Sequence, residues 1–259
     1  MQTEDLTKGA MATHFRTLAI PAALGMLFAT LYNVVDVYWA GRLSTDAQAG
    51  LAIGYQAFFV LMAIGFGLSS ALSALVSNAK GSGDNSQTQR LAAQGLSFGI
   101  IATFVSMVIG WFIGPLLINL VSEPSAYRDA ALGYFKFLIL ALPGFFLAYG
   151  GNGILQAHGD SRTMQRAMMV AFLANIGLNP LLMFGIDGIW NGIGFNGIAV
   201  ATIISQTGVM VFIIARILKL ATMRSVNLGA FWPDRASFMQ IIGQLIPASS
   251  AMMVMFVSG

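Results

Sequence analysis

The stretch TLAIPAALGMLFATLYNVVDVYWAG, residues 17–41, decides the fold class, because it runs for twenty-five residues with one charged side chain, Asp36. A helix of about 20 apolar residues crosses the hydrocarbon of a bilayer, so this stretch is long enough to be a span. Polar residues precede it, with Glu4, Asp5, Lys8 and Arg16 among the first sixteen, so it starts too late and runs too long for a cleaved signal peptide. Further charge-free runs lie at 47–79, 91–122, 137–157, 167–186, 188–215 and 236–259. Seven membrane helices are expected. Runs of about thirty residues are too short for two spans and are each read as one long or tilted helix, bent rather than broken by internal Gly and Pro.

Composition supports an all-α polytopic membrane protein. Hydrophobic residues make up 57% of the 259 and charged residues 9%, against about 25% charged in soluble domains. The formal charge of +3 comes without a basic stripe, so no nucleic-acid partner is expected; the partner is the lipid bilayer. Zero cysteines exclude disulfides and thiolate chemistry, and two isolated histidines make a zinc or haem site a poor reading. His14 and His158 fall in polar ends and are expected to be solvated. With no Ser/His/Asp set and no paired intramembrane acids, an enzyme is not expected, nor is a cofactor.

Lys and Arg, counted loop by loop, give the orientation. Lys8, Arg16, Lys80, Arg90, Arg162, Arg166, Arg216, Lys219, Arg224 and Arg235 fall on one side, and Arg42, Arg128 and Lys136 on the other. Ten against three predicts a cytoplasmic N-terminus. Residues 80–90 and 159–162 read as glycine turns, the first followed by an Asp84/Ser86 helix start. The predicted organisation is a cytoplasmic segment 1–16, a six-helix lobe 17–215, a cytoplasmic connector 216–235 carrying Pro233-Asp234, and a seventh helix 236–259 opening a second lobe. Ile246-Pro247-Ala248 repeats Ile20-Pro21-Ala22, with Met252 in register with Met26, as in a transporter built of two similar halves. With no polar flank after Val257-Ser258-Gly259, the chain is expected to end inside its seventh helix.

An ionisable residue within a span costs roughly 2.5–3.5 kcal/mol on insertion scales, so it is expected to face the bundle interior and to act there. Asp36 lies about 28 Å along the helix from Thr17, in the outer half, with Tyr32 and Asn33 on its face. The competing reading makes it an interfacial anchor beside Arg42. Asn175 and Asn179 stack one turn apart in the fifth span, and Pro180 removes the amide that would bond back to Ile176, freeing a carbonyl. The sixth span adds Thr202, Ser205 and Gln206, and the fourth Tyr149, Asn152 and Gln156. Singly, such residues are commonly interhelical glue. Together, one carboxylate and several neutral oxygens suit a proton or one hard monovalent cation such as Na+. A cationic solute competing with that ion for one carboxylate gives antiport. Tyr32, Asn33, Tyr149, Asn152 and Gln206 are candidates for lining a substrate cavity.

Leu18-Ala-Ile-Pro-Ala22, Val35-Asp-Val-Tyr-Trp-Ala-Gly-Arg42, Gln156-Ala-His-Gly-Asp-Ser-Arg-Thr163 and Asn175-Ile-Gly-Leu-Asn-Pro180, in this order, resemble the multidrug and toxic compound extrusion (MATE) transporters from about Arg16 onward. The resemblance implies a 6+6 pseudo-symmetric fold of which this chain is the N-terminal lobe plus the start of the second. It also implies alternating access and export of organic cations or amphiphiles against a H+ or Na+ gradient. Asp36 matches the family's first-helix carboxylate, Asn175 the fifth-helix Asn, and Thr202 the sixth-helix hydroxyl of the ion site. Asn179 stands where some members carry a second Asp, which leaves Asp36 as the lone titrating group. Pro21 matches a first-helix proline and, with Pro180, marks a helix bend. A bacterial plasma membrane and a monomeric full-length transporter are expected. The rival readings are a flippase for a lipid-linked precursor on a related fold, which would be expected to offer a cationic cavity, and a non-transporting membrane scaffold.

Overall fold

The computed structural model describes residues 11–258, apart from the side chains of residues 11–18, 21–22 and 255–258. Three long helices open the chain: α1 (Met11–Leu43), α2 (Thr45–Gly81) and α3 (Asn85–Val121). Then α4 (Ala126–Leu138) continues through a 3-10 turn, Ile139–Ala141, into α5 (Leu142–Ala157). After α6 (Arg162–Phe184) and α7 (Asn196–Leu218) come a single turn α8 (Ala221–Arg224), a 3-10 turn Leu228–Phe231 and α9 (Arg235–Ser258). Counting α4 and α5 as one, seven helices among the described residues are long and apolar enough to cross a membrane.

Local chemistry sets the helix starts. Ser44, the one residue between α1 and α2, accepts from the Ala47 amide at 3.0 Å. Asp84 does the same for Gln87 at 2.8 Å and Asp160 for Thr163 at 3.0 Å, meeting the unsatisfied first-turn amides of α2, α3 and α6. Gly83 and Gly159 take positive φ in the two turns read from sequence. Helices α3, α6 and α9 pass unbroken through Pro115, Pro180 and Pro247.

Two boundaries differ most from the sequence reading. The fourth span begins at Ala126, not near 137, because Arg128, Asp129 and Lys136 lie on a helix whose other face buries Ala131, Tyr134, Phe135 and Leu138. Those two cations are therefore on helix turns rather than in a loop. The sixth helix begins at Asn196, not 188. Gly185, Gly188, Gly192 and Gly194 all take positive φ there, and Ile186 bridges Trp190, so this uncharged stretch is a folded turn.

Helix α2 is central, packing on α1, α3, α4, α5 and α9, while α6 packs on α1 and α7, and α7 on α5. Lipid is as apolar as a leucine side chain, so helix association rests on close fit. At Gly50 an added Cβ would lie 2.7 Å from the Ala130 Cβ and 2.9 Å from the Tyr127 carbonyl, so α2 and α4 touch backbone to backbone. Among the described residues two large apolar cores result, one around Phe58, Ile118, Phe135 and Phe146, the other around Leu72, Leu155, Ile213 and Ile217, with a small cluster of Val76, Ala79 and Leu91 beside them. On α1, Ala40 belongs to the first and Tyr32 to the second, which places Asp36 at their junction.

Candidate functional site

On α1 the residues Tyr32, Asp36 and Ala40 form one buried stripe, four residues apart, while Val34, Val37 and Tyr38 are exposed. Asp36 is only 4% exposed and points inward, which disposes of the anchor reading. α6 brings Asn175 and Asn179, both wholly buried, and α7 brings Thr202. Asn179 Nδ2 donates to Asp36 Oδ1 at 2.7 Å and to Asn175 Oδ1 at 2.9 Å. Thr202 Oγ1 donates to Asp36 Oδ2 at 3.5 Å. The first helix and the consecutive pair α6 and α7, far along the chain from it, thus converge on one carboxylate whose partners are neutral.

Around this group several polar atoms are buried without a hydrogen-bond partner among the described residues: Tyr32 Oη, Ser205 Oγ, Asn179 Oδ1 and Asn175 Nδ2. The Tyr32 phenol lies among Thr202, Ser205 and Asn175. Unpaired buried groups are costly and rare. Three of the four are oxygens with lone pairs to offer, the donor set a hard cation needs. The fourth is an amide nitrogen, whose orientation is set by the bond that Asn175 Oδ1 accepts from Asn179. Among the described residues there is no group of three or more His, Cys, Asp or Glu side chains that could hold a metal.

The other candidates lie elsewhere. Asn33 donates to Tyr55 Oη on α2 at 3.2 Å, a partner hidden in sequence because a lone tyrosine in an apolar run carries no pattern. Tyr149 packs edge-on against Phe66 at 4.6 Å and stacks on Phe145. Asn152 on α5 and Gln206 on α7 are buried, each with its side-chain oxygen unpartnered, and none of the four is hydrogen-bonded to Asp36. Pro180 directly follows Asn179 within α6. Pro21 lies within α1, but its side chain, like that of His14, is outside the described residues.

His158 corrects the expectation of a solvated histidine. It is 6% exposed, with Nδ1 2.9 Å from the Ile154 carbonyl and Nε2 2.8 Å from Thr222 Oγ1. The segment after α7 folds back over the end of α5 and covers it. Burial pushes its pKa below the ordinary histidine value, and the nearby Lys80 adds to this.

The MatE family model matches residues 21–181. The chain is 25% identical over 204 residues to the probable multidrug resistance protein YoeA of Bacillus subtilis, covering 78% of this chain and 44% of that protein. It superimposes on a MOP superfamily transporter from Pyrococcus furiosus with a TM-score of 0.85 at 22% identity, covering 99% of this chain and 56% of that one. It also superimposes on an outward-facing multidrug resistance MATE family transporter of the MOP superfamily, with a TM-score of 0.83 at 24% identity, covering 94% and 53%. The chain therefore spans about half the length of these relatives. A family match over most of the chain and a shared seven-span fold lead to one conclusion: this chain belongs to the MATE family of membrane transporters, not enzymes.

Proposed function

We propose that the chain forms the first lobe, the inter-lobe connector and the first helix of the second lobe of a secondary antiporter. The whole transporter exports cationic or amphipathic small molecules from a bacterial cell across its plasma membrane, with the N-terminus in the cytoplasm. Asp36 is its coupling site for H+ or Na+. The reading is carried by one observation: a single carboxylate, buried where α1, α6 and α7 meet, bonded only to neutral side chains and surrounded by unpaired oxygens.

In this reading Asp36 supplies the one negative charge, and Asn179 and Thr202 orient its two oxygens. Asn179 Oδ1, Ser205 and Tyr32 supply further ligands for a cation. A bound proton or Na+ neutralises the carboxylate, and a cationic solute does the same, so the two occupy the site in turn. Because Asp36 lies only seven residues from the end of α1 at Leu43, about 10 Å, the ion enters from the side of the Ser44 turn.

The test is efflux by the full-length protein in vesicles under an imposed pH gradient and, separately, a sodium gradient. Asp36→Asn removes the charge but keeps the shape, and gradient-driven efflux is expected to vanish while the protein still inserts. Undiminished efflux by that variant overturns the assignment.

A further inference from the structure

The connector between α7 and α9 is fastened to α3 through its backbone. Gln94, 2% exposed on α3, donates from Nε2 to the Ala230 carbonyl at 2.6 Å and the Trp232 carbonyl at 2.7 Å. Its Oε1 accepts from the Asp234 amide at 2.9 Å. Ser97 donates to the Phe231 carbonyl at 2.6 Å, Gln89 to Ser225 at 2.9 Å, and Arg90 pairs with Asp234 at 2.6 Å. Beside this seam Phe98 meets Phe238 of α9 edge-on, ring centres 5.2 Å apart. Held this firmly, the connector nevertheless presents two large apolar side chains outward, Leu228 at 85% and Trp232 at 81% exposed.

The depth of these side chains is fixed by α3. Its outward apolar band begins at Ile100 and ends at Leu120 and Val121, about 31 Å by helical rise, which matches a hydrocarbon core of about 30 Å. Residues 91–96 and Gly99 are buried, the connector lying over this end of the helix. Ser97 lies roughly 4 Å beyond Ile100, within the headgroup layer, and Gln94 roughly 9 Å beyond it, at that layer's outer edge. The connector backbone bonded to them therefore runs through the headgroup layer, within a side chain's reach of the acyl chains, the level at which tryptophan is favoured. Flanking it, Lys219, Arg224 and Arg235 are exposed and, among the described residues, unpaired, whereas Arg90 and Arg216 pair with Asp234 and Asp160.

We propose that the connector is a membrane-docking element: Leu228 and Trp232 insert into one leaflet at the headgroup boundary, and Lys219, Arg224 and Arg235 bind its anionic phospholipid headgroups. Backbone bonds to Gln94 and Ser97, with the side chains of Ser225 and Asp234, hold its geometry, which leaves Leu228 and Trp232 free to meet lipid. Apolar insertion and cationic attraction act together, as in other interfacial anchors. It thereby ties the start of α9 to both the first lobe and the leaflet.

The test uses the full-length protein, with any further cysteine replaced, carrying a nitroxide at Trp232→Cys or, independently, at Leu228→Cys. It is reconstituted into phosphatidylcholine vesicles with or without phosphatidylglycerol. Collision with oxygen and with a water-soluble nickel chelate reads the depth, with Gln87→Cys as the aqueous reference and Phe112→Cys as the acyl reference. Both labels are expected to lie between the references, and phosphatidylglycerol is expected to move them toward oxygen. Replacing Lys219, Arg224 and Arg235 by Gln should abolish that shift. Chelate access equal to that of Gln87→Cys overturns the proposal. So does shielding from both reagents, which would mean that the rest of the chain covers this surface, or a phosphatidylglycerol shift that survives the three replacements. None of these readings depends on transport, so they stand apart from the role of Asp36.

Discussion

Asp36 is held by Asn179 and Thr202, and Asn179 also bonds Asn175. Hydrogen bonds to a charged group contribute about 1.5–3 kcal/mol, which corresponds to about 10- to 100-fold in affinity. If Asp36 has the proposed role, Asn179→Ala should weaken apparent affinity for the coupling ion by that factor, read from efflux against ion concentration, and Asn175→Ala, which removes the partner of Asn179, should weaken it less. Asp36, Asn175 and Asn179 were legible in the sequence because a charge in a span must have a reason and two Asn one turn apart share a face, whereas Thr202 was singled out from its polar neighbours only by the family resemblance. His158 was not, since its burial depends on a segment some sixty residues further on. Its folded pKa is lowered from about 6.5 in the unfolded chain, so the unfolded state binds more protons in acid. Stability should be full above pH 6.5 and fall as pH drops below it, levelling off once pH is under the folded value. Thermal unfolding in detergent across that range checks this, and His158→Gln should flatten the dependence.

Spans are easy to find and hard to bound at the scale of the element. Six appear as charge-free runs and the first as a run with Asp36 alone, because hydrocarbon excludes charge whatever the packing. The start of α4 was missed because charge alone was read there, although Ala131, Tyr134, Phe135 and Leu138 recur at helical spacing. The start of α7 was missed for the opposite reason: an uncharged glycine turn looks like membrane. Packing between elements leaves little trace in a single sequence, as Gly50 illustrates. Gly50→Leu would drive side-chain atoms into Ala130 and the Tyr127 carbonyl, and overpacking of this kind costs about 1–3 kcal/mol. A lower unfolding temperature is expected with the cluster around Asp36 intact, seen as an unchanged ion dependence in the folded fraction.

For the whole molecule, ten Lys and Arg on one side against three on the other predict which loops face the cytoplasm. A membrane-impermeant maleimide added outside intact cells should label Asn191→Cys, in the turn between α6 and α7, and leave Ser86→Cys, at the start of α3, unlabelled. The reverse pattern would invert the orientation.

The distance between Asp36 and its partners along the chain also bears on how the molecule is made. Asn179 follows it by 143 residues and Thr202 by 166. At about 5–20 residues per second, α1 exists for roughly 7 to 30 seconds before the ribosome has supplied either partner. For that interval the carboxylate has neither of these hydrogen bonds. Its place a few residues from the Ser44 turn lets it reach the headgroups while it waits, so an acid buried in the finished bundle need never have been stranded in hydrocarbon during synthesis.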